Sequence, residues 1–308
     1  MATAITEDAQ AGQSTGGTGG FRDRNLVWGA LLIAGLVAAA YLRVLLKLVS
    51  DWWAFPDFSH GFLIPPFAAY VVWRKRKVLA NIPVAPSWTG VALVAFGLLV
   101  LLLGVYGSEL FLSRISLVLV LAGLVLGFGG RTMLKETRFA LFVLLLAIPI
   151  PAIIYTQITF PLQILASKLA SALLPLFGVP VLREGNVIQL PAMSLEVAEA
   201  CSGIRSLMSL LTLAILYGYF LERSTWRRVA LAVGSVPIAI AANAVRLLGT
   251  GLSVQYWDPD KAMGFFHEFS GWVMFLVSLS CLIAVDQTFG WIRLKADQTW
   301  IRLKRRQA

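Results

Sequence analysis

Charge is scarce in this chain. Asp, Glu, Lys and Arg together make up 14% of its 308 residues, and there are two histidines and two cysteines. Ordinary soluble domains carry about a quarter charged residues, so a water-soluble globule is excluded. Two cysteines cannot build a disulfide framework, and Cys201 and Cys281 lie far apart, one at the edge of an apolar run and one deep inside another. Both are expected as free thiols, with Cys281 a packing residue. Histidines and carboxylates show no ligand spacing, so no metal site is expected. Phosphate loops, dinucleotide glycines and nucleic-acid modules are missing as well, and with them any implied cofactor or nucleic-acid partner. The opening MATAITEDAQAGQSTGGTGG has neither the basic start nor the apolar stretch of a signal peptide. Residues 1–25 read as a disordered cytoplasmic tail.

What the chain has in abundance is apolar length. Hydrophobic residues make up 58% of it and its mean hydropathy is +0.78. Eight stretches approach the roughly 20 residues needed to cross a bilayer: about 27–47, 61–73, 88–105, 111–128, 139–155, 203–221, 229–252 and 269–287. The second is short and carries Pro65 and Pro66, so it must be kinked, re-entrant or extended by its flanks. The fold class is therefore all-α: a polytopic membrane bundle of about eight helices over 26–288. Eighteen of the 26 lysines and arginines fall in alternate loops and the two tails, which places both termini in the cytoplasm by the positive-inside rule. The segment 156–200 reads as an amphipathic external stretch lying in the outer interface. Residues 289–308, with WIRLK twice, read as a basic cytoplasmic tail suited to anionic lipid.

Polar residues at expensive depths are the candidates for chemistry. Cys201, in VAEACSGIRSL, opens the sixth helix, where the helix dipole and Arg205 one turn on favour a thiolate. Arg246, in AANAVRLLG, lies inside the seventh helix with Asn243 on the same face; charge there needs a partner or a wet cavity. The plainer reading of Arg246 is an arginine snorkelling from a helix end. His267, in GFFHEFSGW, precedes the eighth helix, and an imidazole with a pKa of about 6.5 suits both proton removal and return. Its plainer reading is an interfacial histidine satisfied by water. His60, in FPDFSHGFLIPP beside Asp57 and Ser59, is a further polar contributor on the same side.

EACSGIRSL at 199–207, NAVRL at 243–247, the His267 segment ending in SGW, and FSHGFLIPP followed by WRKRK together resemble the exosortase/archaeosortase family over roughly 27–287. The resemblance implies a membrane-embedded cysteine peptidase and transpeptidase of the bacterial inner membrane. Such an enzyme cuts C-terminal sorting signals from secreted proteins at the extracytoplasmic face and transfers them to a surface acceptor. Its substrates carry a short motif, a transmembrane helix and a basic cluster. The resemblance assigns the catalytic set to Cys201 as nucleophile, Arg246 and His267, with Arg205 and the Ser59-His60-Gly61 segment matching the family without an assigned role. Some family members carry a further extracytoplasmic domain after the last helix, and here a basic tail stands in that place. A polytopic transporter or channel, and a purely hydrolytic membrane cysteine protease, are the alternative readings.

Overall fold

The computed structural model describes residues 19–197, 203–221, 224–257 and 269–288. Its long helices are α1 (Gly19–Ala54), α2 (Ile64–Arg74), α3 (Arg76–Ala80), α4 (Trp88–Tyr106), α5 (Leu110–Leu145), α6 (Ala152–Leu173), α7 (Ile204–Leu221), α8 (Thr225–Tyr256) and α9 (Phe269–Thr288). α1 begins inside the stretch read as a tail, whereas residues 1–18 and the basic tail 289–308 lie outside the described residues. The chain divides into compact units at Lys47, within α1, and the contacts described below all lie within Leu48–Ala308.

Seven of the described helices are long and apolar enough to cross a membrane: α1 and α4 to α9. The protein is thus a multi-pass helical membrane protein, built somewhat differently from eight equal spans. The second expected crossing is a 3-10 segment, Pro56–Leu63, leading into α2 of 11 residues, whose prolines sit in the first turn where a missing N–H costs nothing. The fourth and fifth both fall on α5, a run of 36 residues broken at Gly130 with φ 77 and ψ −175, a conformation essentially reserved for glycine. The fifth ends at Leu145 instead of 155, because Pro149 and Pro151 follow and residues before proline leave the helical region.

Close backbone approach holds the α4–α5 hairpin together. Gly90, Gly97 and Gly104 recur every seven residues and face Gly127, Val120 and Ser113. A Cβ added at Gly90 would lie 2.1 Å from the Gly127 nitrogen. Lipid tails give apolar helices no reason to associate, so such contact supplies the attraction. Further on, α7, α8 and α9 share a cluster of Leu210, Ala214, Leu231, Ala239 and Leu282. Cys281, the free thiol on α9, is exposed on the outward face with Val277, not packed as expected. In a helix bathed in lipid, the apolar face that turns outward is as favourable for a thiol as the core.

The segment 156–200 is not purely helical. After α6 a short 3-10 turn leads to strands β1 (Leu182–Glu184), β2 (Val187–Gln189) and β3 (Ser194–Glu196), an antiparallel sheet in the order β1-β2-β3. Gly185, at φ 63, begins the two-residue turn between β1 and β2, and its carbonyl accepts from buried Ser167 Oγ at 3.0 Å, tying the sheet to α6. Three-residue strands carry too little alternation to be seen in the sequence. Ala166 and Ala170 of α6 and Leu174 of the 3-10 turn pack with Ile188, Leu195, Leu247 and Val254, so helix and sheet clothe the second half of α8.

Contacts sort the loops into two ends. Lys75 pairs with Glu136 at 2.9 Å, and Arg74, Lys75, Arg138 and Arg228 line one cavity, so three of the basic loops gather at one end of the bundle. At the other end Trp52 Nε1 donates to Ala147 O at 2.8 Å and Arg205 Nε to Asp57 at 2.9 Å. Also buried is the pair of Asp51 and Arg114, which joins the end of α1 to the start of α5.

Removing one partner of a buried pair strands the other. Asp51→Leu is expected to destabilise the folded protein by about 3–5 kcal/mol, seen as a fall in the melting temperature in detergent. Asp51→Leu combined with Arg114→Met should recover most of that loss. A single variant as stable as the parent would show that the pair carries no weight.

Candidate functional site

Three of the motif segments meet on α8. Gly203, two residues after Cys201, has φ 81, and a Cβ added there would lie 2.7 Å from Cγ of Asn243. Only a residue without a side chain lets the start of α7 come this close to α8. Asn243 is buried and Arg246, one turn further along α8, is half-buried. Arg246 Nη1 lies 3.6 Å from the point where a Cβ on Gly271 would stand, so the guanidinium reaches the glycine of the SGW motif at the start of α9. Cys201 and His267 themselves lie outside the described residues; their neighbours Gly203 and Phe269 bracket the place where α7, α8 and α9 converge.

Arg246 does not stand at a helix end. α8 continues to Tyr256, ten residues beyond it, or about 15 Å at 1.5 Å per residue. That is more than an arginine side chain spans, which removes the simple picture of a guanidinium snorkelling past its own helix terminus. The extension of α8 is covered by α6 and the sheet, and Tyr256 donates to Phe177 O at 2.9 Å where α6 and its 3-10 turn finish.

Beside this convergence stands a polar cluster centred on Asp57, in the 3-10 segment before α2. One carboxylate oxygen accepts from Arg205 Nε at 2.9 Å and the other from the hydroxyl of Tyr155, near the start of α6. Asp57 therefore ties the first turn of α7 to α6. With Arg205 half-exposed, the ion pair adds little stability and serves to orient. Tyr155 gives no sign in the sequence, where it stands in an apolar stretch; Asp57 is flagged there only by its neighbour His60.

His60 belongs to the scaffold of this end. Its Nε2–H donates to Leu146 O at 3.2 Å, and Trp52 donates to Ala147 O, so two side chains satisfy carbonyls that the end of α5 leaves without helical partners. The Trp52 indole lies directly against Gly61, where a Cβ would sit 2.2 Å from Nε1. The other His60 nitrogen, Nδ1, is buried and has no hydrogen-bond partner among the described residues. Burial pushes the imidazole below its ordinary value of 6.5, against the opposing pull of the Leu146 and Asp57 backbone.

This sets a pH dependence with a definite sign. As pH falls, unfolded chains take up a proton at His60 near 6.5 while the folded protein resists, so stability is full above 6.5 and declines below it. Melting temperatures measured in detergent should fall from pH 7 to pH 5.5, and His60→Gln should flatten this component. A profile unchanged by the substitution would rule out His60 as the titrating group.

A family model described as transmembrane exosortase matches residues 52–284, from Trp52 at the end of α1 to Ala284 near the end of α9. No curated protein and no solved structure gives a significant match. The matched span takes in the Asp57 cluster and all three segments that converge on α8. The chain belongs to the transmembrane exosortase family.

Proposed function

We propose that this protein is a membrane cysteine transpeptidase that removes C-terminal sorting signals from secreted proteins, with Cys201 as nucleophile, Arg246 as oxyanion stabiliser and His267 as general acid and base. The observation that carries the reading is the packing of Gly203 against Asn243 with Arg246 reaching toward Gly271, because it draws the flanks of Cys201 and His267 to one arginine. Membership of the exosortase family supports the same chemistry.

In this reading the Cys201 thiolate attacks the scissile carbonyl carbon and forms a tetrahedral adduct whose oxyanion faces the Arg246 guanidinium. An arginine is suited to the task because its fork stays charged at any working pH. Collapse breaks the C–N bond, His267 protonates the departing amine, and a thioester remains on Cys201. His267 then takes a proton from the incoming acceptor amine, which attacks the thioester and releases the Cys201 thiolate. Asn243 would orient Arg246, and Asp57 would hold Arg205 at the mouth of α7. The substrate's own transmembrane helix would fix the depth of the cleaved bond, since confinement to one bilayer replaces a three-dimensional search. The bundle end that holds Asp57 and Arg205 is assigned to the extracytoplasmic face, and the basic end to the cytoplasm, by the distribution of lysine and arginine.

Processing of a co-expressed secreted protein carrying a sorting tail tests the reading. Cys201→Ala should abolish processing, and Arg246→Lys, which keeps charge but loses the planar fork, should slow it by about 100-fold, the scale of one lost oxyanion contact. Full processing by Cys201→Ala would overturn the proposal. Gly203→Ala should also inactivate, because φ 81 and the Asn243 contact both reject a Cβ, whereas Gly185→Ala, at φ 63 with open space around it, should stay active. Mass spectrometry of the mature C-terminus separates an acceptor adduct from the free carboxylate that hydrolysis would leave.

A further inference from the structure

A cavity lies at the opposite end of the bundle from the Asp57 cluster. It has a volume of about 510 Å³ and is framed by the C-terminal ends of α2 and α7, the stretch of α5 after Gly130 and the start of α8. Five cations line it, Arg74, Lys75, Lys135, Arg138 and Arg228, against the one carboxylate of Glu136. Glu136 is already engaged by Lys75, both through its carboxylate and through its backbone carbonyl, each at 2.9 Å. Among the described residues of its lining, cations therefore outnumber carboxylates five to one.

The remaining wall is aromatic. Phe139 and Tyr219 stack with ring centroids 3.5 Å apart at 4°, and two guanidinium groups lie over neighbouring rings, Arg74 over Phe220 at 5.2 Å and Arg228 over Tyr219 at 5.4 Å. A ring that takes the face of the Arg74 guanidinium leaves its N–H edge directed elsewhere, the geometry in which arginine binds phosphate oxygens. Beside the cavity the flank is aromatic: Tyr70 and Trp73 are exposed, Arg76 lies over the Trp73 ring at 4.2 Å, and exposed Val78 adds an apolar edge to the lining. Exposed Trp and Tyr with adjacent basic residues mark the depth of lipid headgroups.

We propose that this cavity binds a phosphate monoanion or diester, and specifically the headgroup of an anionic phospholipid in the adjacent leaflet. Its volume suits a small headgroup, its cations supply the countercharge, and its exposed apolar rim is continuous with the path of acyl chains. The proposal does not depend on the peptidase reading, since the cavity and the α7–α9 convergence occupy opposite ends of the bundle.

The test uses the full chain in a non-ionic detergent, with thermal stability followed as phosphatidylglycerol, phosphatidylcholine or inorganic phosphate is titrated in. Phosphatidylglycerol should raise the melting temperature saturably and phosphatidylcholine should not. With each surface cation worth roughly fivefold in affinity, Lys135→Gln with Arg138→Gln should weaken the apparent affinity roughly 25-fold. Both side chains are exposed, so the double variant is expected to fold. Glu136→Gln, which removes the competing carboxylate, should tighten binding and serves as the check if the double variant misfolds. Inorganic phosphate that reproduces the full shift at low millimolar concentration would assign the site to a soluble ligand and overturn the lipid assignment. Equal shifts with both lipids, or affinities unchanged in both variants, would overturn the site itself.

Discussion

The contact between Gly203 and Asn243 governs the arrangement of the candidate site. α7 starts where it does because residue 203 has no side chain and adopts a positive φ, which lets the chain turn against α8 at van der Waals distance. A bulkier residue there would push the opening of α7 away from α8, and with it the backbone that carries Cys201. The same line on α8 then holds Arg246, one turn further along, facing the start of α9. Two close approaches, Gly203 to Asn243 and Arg246 to Gly271, thus bring together three segments that are far apart in sequence.

Around that contact, charged side chains pair across different elements of the bundle. Asp51 meets Arg114, Asp57 meets Arg205 and Tyr155, Lys75 meets Glu136, and Asp286 receives both Tyr217 and Arg227. These pairs lie near helix ends and link different elements, so each also fixes a register between helices that apolar contact alone would leave free to slide. In a medium where apolar surface has no preference between helix and lipid, directional bonds carry a larger share of specificity than they do in water.

The sequence makes the membrane bundle legible because hydropathy and basic residues vary over the length of a whole helix. It makes Arg246 and Asn243 legible because each breaks an apolar run. What it conceals are features a few residues long. The break at Gly130 depends on one φ angle among several adjacent glycines, and the turn at 146–151 replaces what hydropathy joins into one span. The three-residue strands are shorter than the period needed to read alternation. Tyr155 joins Asp57 across 98 positions, and a hydroxyl in an apolar run carries no pattern of its own. Cys281 was expected in the core because an apolar neighbourhood in the sequence does not tell a protein interior from a lipid-facing surface.

The seven-residue spacing of Gly90, Gly97 and Gly104 has a consequence for how this chain can tolerate changes of length. Seven residues make nearly two full turns, so the glycines stay on one line facing α5 from the first turn of α4 to the last. Inserting or deleting a single residue within α4 would rotate everything beyond it by about 100° and set side chains where backbone now touches backbone. Only a change in the loops or of a whole heptad would keep the glycines in line, and the α4–α5 hairpin acts as a ruler of fixed pitch.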